Sequence, residues 1–147
     1  MFPVLHARDD GTLYLTTARH GEDVGALVGD RYPEVLTSSD RVFDFWFSSR
    51  AWHQRINQVA TEVLFARCDF NARSTPLLRG DVVVCTRDSR GSPSGIIQGQ
   101  LDCLSEGAPW GSDRRVLGLR YAREEHRQHA RVRAYEETRE NDWRFEP

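Results

Sequence analysis

Four of the five side chains from Phe43 to Phe47, in the stretch VFDFWFSSR, are aromatic. Each such ring removes about 150–250 Å² from water when buried, so a chain that spends three phenylalanines and a tryptophan together needs a cover for them. In an extended strand Phe43, Phe45 and Phe47 point to one face and Val42, Asp44 and Trp46 to the other. The phenylalanine face is what a sheet presents to a packed helix. The Trp46 face is open to a second layer, to a partner, or to the chain's own C-terminal part.

The rest of the chain supplies that sheet and that helix. Residues 33–41, PEVLTSSDR, read as a strand running into a Ser-Ser-Asp turn that leads to the aromatic strand. In HQRINQVATEVLFARC (53–68), Ile56, Val59, Ala60, Val63 and Leu64 recur at helical spacing and form one apolar stripe. LLRGDVVVCTRD (77–88) holds the densest β-branched run and reads as a strand. IIQGQLDCL (96–104) reads as its return strand across the turn SRGSPSG. TLYLTT (12–17) suggests a short strand, and EDVGALVG (22–29) a short helix ending near Gly29. SEGAPWGSD (105–113) looks like a linker. Beyond it, RRVLGLRYAR (114–123) alternates like a strand, whereas 124–140 suits a charged helix, with a strand at ARVRAYEE as the competing reading. The expected fold is therefore α+β: a small mixed or antiparallel sheet packed by one main amphipathic helix. Residues 1–105 form the core domain, and 106–147 a linker and charged C-terminal segment.

At 147 residues, with 39% apolar and 29% charged side chains, the chain is long enough to bury its own core without metals or disulfides. The three cysteines, Cys68, Cys85 and Cys103, form no CxxC pair and read as free thiols. No apolar run reaches membrane-spanning length, and MFPVLHARDDG lacks the pattern of a signal peptide, so the expected location is the cytoplasm and no membrane partner is expected. All 20 basic residues are arginine. Arginine codons are GC-rich and lysine codons AT-rich, which points to a high-GC bacterium such as an actinobacterium, or to one of its phages. The net charge is −2, with 9 arginines and 8 acids in 113–147. That balance disfavours both a strongly basic nucleic-acid binder and an acidic DNA mimic.

The segments ALVGDRYPEVL, FDFWF, INQVATEVL and LLRGDVVV resemble, in order and rough spacing, the phage and actinobacterial family known as domain of unknown function 3846. The matching positions are Val28, Gly29, Glu34, Asn57, Ala60, Thr61, Gly80, Asp81 and Val82 to Val84, within residues 24–85. The resemblance implies a small α+β domain and a phage or actinobacterial source, and no known activity. The family tends to carry an acidic pair and a glycine after its central strand. This chain has WFSSR there, so no role for that pair is carried over.

Catalytic patterns are sparse. No G-x-S-x-G occurs, and SRGSPSG lacks the lysine of a phosphate-binding loop. His126 and His129 share a helix face without further metal ligands, and His6 and His20 have no companion acid in sequence. Asn57 and Thr61, one helical turn apart, read as a cap and a tie to a neighbouring loop. Asp81 after Gly80 reads as a turn entering a strand. No cofactor and no metal are expected. What remains is surface: Trp46, Trp52 and Trp110, with Trp143 near the end, and an arginine stripe of Arg120, Arg123, Arg127 and Arg131 if that segment is helical. The expectation is a small non-enzymatic accessory protein that binds a protein, whether a host factor or a second copy in a homodimer. The alternative is a nucleic-acid- or nucleotide-binding module that uses the arginine stripe.

Overall fold

The aromatic strand lies inside a sheet. The structure is a computed structural model that describes residues 1–144, with side chains to residue 140. Its strands are β1 (Phe2–Ala7), β2 (Leu13–Ala18), β3 (Glu34–Thr37), β4 (Asp44–Phe47), β5 (Val82–Arg87) and the two-residue β6 (Pro93–Ser94). The spatial order is β2-β1-β5-β4-β3, with β6 beside the end of β5, and every pairing is antiparallel. The fold is α+β, with four helices among the described residues: α1 (Gly21–Val28), α2 (Gln58–Arg67), α3 (Gln98–Leu104) and α4 (Gly111–Arg144). The β-branched run Val82–Val84 takes the central place because both of its faces are buried.

The two faces divide the side chains as the alternation of β4 requires. Phe43 and Phe45 join Leu5, Ala7, Val82 and Val84 under Ala60 and Leu64 of α2 and Leu104 of α3. Phe47 and Val63 pack at the border of that cluster. Trp46 points the other way, toward Val4, Val83, Cys85 and the α1 residues Val24 and Val28. The core is thus split, and Ile56 belongs to a third cluster with Ala72, Leu117 and Tyr121. Val42 precedes β4 rather than belonging to it, and it packs on the phenylalanine side instead of the opposite one.

Asn57 positions α2. Its side-chain oxygen accepts from the Ala60 N–H at 3.0 Å, and its amide donates to the carbonyls of Ala7 and Gly80, both at 2.9 Å. Thr61 donates to the Asn57 carbonyl and accepts from the Leu78 N–H. The expected cap and tie are one buried network that fastens α2 to the ends of β1 and β5. At α1, Gly29 adopts φ +80° and closes the helix with its N–H on the carbonyls of Ala26 and Gly25, a conformation that favours glycine.

Two sequence expectations change, and one strand was not foreseen. The N-terminal strand β1 had no alternation to announce it, because Val4, Leu5 and Ala7 are buried on alternate faces of a covered strand. Residues 96–104 are not a return strand. The hairpin ends after β6, where the Thr86 hydroxyl holds the Gly95 carbonyl and the Ile96 N–H bonds Pro3, and the chain then turns into α3. Gly95 has to be small there, since a Cβ would stand 2.8 Å from the Pro3 ring. Residues 114–123 are the start of α4 rather than a strand: Leu117 and Tyr121, one turn apart, are buried, whereas Leu119 is 67% exposed.

Candidate protein-binding surface

α4 sets the most unusual feature of the surface. Its first half is seated on the body. Leu117 and Tyr121 pack on Ile56 and Ala72, and the Arg120 guanidinium donates to the Ala72 carbonyl at 2.7 Å. Glu124 meets Arg79 at 3.1 Å, and the Gln128 amide donates to the His53 carbonyl at 2.6 Å. From His129 to Glu140 every side chain is exposed. That stretch alone extends about 18 Å at 1.5 Å per residue. The seated face continues into it, because Leu117, Tyr121, Glu124, Gln128, Val132 and Tyr135 recur at helical spacing. Val132 is 50% and Tyr135 69% exposed.

The tryptophans are scattered by the fold. Trp52 is 63% exposed, edge-on to the His53 ring, in the segment whose His53 carbonyl holds Gln128. Its neighbour His53 thus marks the joint where α4 leaves the body, at Gln128, one turn of helix before Val132. Trp110 is 83% exposed immediately before α4, at the opposite end of the seated half. Trp46 is partly buried under α1 and floors a cleft of about 740 Å³ with Gly25, Ala26, Gly29, Tyr32 and Pro33. Its indole N–H is buried without a hydrogen-bond partner among the described residues. The side chain of Trp143 lies outside the described residues.

The arginine stripe is helical, as required, but its members differ. Arg120 is spent on the body, and Arg127 pairs with Glu124 at 2.7 Å. Arg123 and Arg131 are exposed and make no ion pair among the described residues. Residues 123–131 also carry Glu124 and Glu125, so the stripe is a mixed surface rather than a continuous cationic track.

One polar cluster escaped the sequence. His6 does have a companion acid: its Nε2 lies 3.0 Å from Oδ2 of Asp81, 75 positions away. The other Asp81 oxygen accepts from the Asp9 N–H at 3.1 Å. Antiparallel pairing sets His6 opposite Val83, so Asp81 comes up beside it on the same face. α1 covers only the Val4 end of that face. The His6 end opens into a depression of about 540 Å³ that also takes in Arg8, Tyr14 and Thr16. With both oxygens occupied, Asp81 braces β1, β5 and the β1–β2 turn. The only sequence signal was an acid immediately before a buried strand, which says nothing about its partner.

The thiols separate by position. Cys85 is buried in β5, and burial pushes its pKa up to about 12. Cys103, expected in a strand, is exposed on α3. Burial likewise raises the Tyr121 phenol and the Glu62 carboxyl.

No family model, curated protein or solved structure matches the chain. Among the described residues, no helix is long and apolar enough to cross a membrane, and no group of three or more His, Cys, Asp or Glu side chains converges for a metal.

Proposed function

We propose that the chain is a protein-binding module of a phage or an actinobacterial cell, acting by contact and not by catalysis. One observation carries the reading: Trp52, Val132 and Tyr135 expose their apolar surface around the joint where α4 runs clear of the body. Aromatic side chains raised in this way, rimmed by charged residues, are the composition of an interaction site. A single helix of mixed charge gains little stability from its own sequence, and a partner laid on the face of Val132 and Tyr135 would complete its packing.

A photo-crosslinking residue placed at Tyr135, and separately at Trp52, tests this in cells of the source type. Discrete protein adducts are expected from both positions, and Val132→Glu should abolish them with the fold intact. A second reading draws on Arg123 and Arg131, which are free to meet phosphates. Arginine–phosphate binding falls steeply with salt because condensed counterions are released, whereas apolar contact is not screened. Duplex DNA binding is expected to be undetectable by gel shift at physiological salt. Tight binding that persists there and vanishes in the Arg123→Ala, Arg127→Ala, Arg131→Ala triple variant would replace the protein partner with a nucleic acid.

A further inference from the structure

We infer that β2 pairs with β2 of a second copy, antiparallel across a twofold axis, joining two sheets into one. The outer edge of β2 is open: among the described residues no hydrogen bond reaches its outward N–H and C=O groups. Natural edge strands are normally blunted by charge, proline, shortness or a covering element. The far edge, β3, is blunted in this way, with four residues that start on Glu34 directly after Pro33. β2 is LYLTTA, six residues with neither charge nor proline, and Leu13, Tyr14 and Leu15 are each about half exposed.

The second copy is the occupant because β2 matches itself. A twofold axis perpendicular to the sheet keeps each face on its own side. Leu13 and Leu15 lie on the α2 face, since they pair with Ala7 and Leu5. There Leu13 borders a groove of about 290 Å³ lined by Val59, Val63 and Leu104. The axis adds the partner's Leu13 and Leu15 to that apolar side. Tyr14 and Thr16, on the opposite face with His6 and Arg8, meet their own equivalents. Antiparallel pairing about the axis makes each contact between the two β2 strands occur twice.

Sedimentation of the full chain at micromolar concentrations, with hydrogen exchange, tests the pairing. The expected result is a dimer in which the amides of 13–18 become protected as concentration rises. Leu15→Lys, and independently Leu13→Lys, should each raise the dimer dissociation constant by about tenfold or more while leaving circular dichroism unchanged. A monomer at these concentrations overturns the inference. So does a dimer whose β2 amides exchange freely, or one indifferent to both lysine variants. None of these results touches the surface at Trp52 and Tyr135, whose crosslinks are read separately.

Discussion

Asn57 does the most with one side chain. It caps α2 and donates to two carbonyls, one at the end of β1 and one just before β5, at full burial. Asn57→Ala removes a cap worth about 0.5–2 kcal/mol and leaves buried carbonyls unpaired at about 1–3 kcal/mol, so a loss near 3 kcal/mol is expected in urea titration. Asn57→Asp keeps the capping oxygen but aims an acceptor at the carbonyls of Ala7 and Gly80, and should be at least as damaging. A structural cap alone would tolerate the aspartate, so the pair of variants separates the two duties. Cys85 and Tyr121 set a second expectation. Both have raised pKa values in the folded chain, so the folded state holds protons that the unfolded state releases. Their stabilising contribution is complete below the unfolded cysteine value near pH 9. It is lost from there upward through the folded value of Cys85, about 12. Stability should fall by up to about 1.4 kcal/mol per pH unit for each group. Denaturant midpoints at pH 8, 10 and 11 check this; a flat profile would mean that the two side chains ionise in place.

α4 is two elements in one helix. The half up to Gln128 owes its place to packing, since Leu117 and Tyr121 complete the cluster around Ile56 and Ala72. Beyond it, every described side chain from His129 to Glu140 is exposed. Deleting residues 129–147 should change stability by no more than about 0.5 kcal/mol, the range for exposed sites. Deleting from Gly111 onward strips the cover from Ile56 and Ala72 and should cost about 3–5 kcal/mol, as the loss of large buried side chains does. Thermal melts of the two truncations read the difference. If both behave alike, the seated half is not part of the core. The strand-like alternation of Leu117, Leu119 and Tyr121 misleads here because two of its three members also satisfy an i, i+4 helical pair. Only the exposure of Leu119 tells the periods apart.

For the molecule as a whole, local pattern was enough for the central hairpin, α2 and its cap, and the β-branched strand. In those segments every residue's preference agrees with its neighbours', and alternation or helical spacing is written into six to ten consecutive positions. The α+β class follows from them. The strand order, the neighbours of β1, the end of the hairpin at Gly95 and the meeting of His6 with Asp81 depend on contacts between residues tens of positions apart. Pairing across a sheet carries no short-range signature, because any apolar strand satisfies any other, and the choice falls to whichever arrangement covers both faces of Val82–Val84 at once. Which tryptophans face outward, and that β2 is left with an open edge, are consequences of that choice.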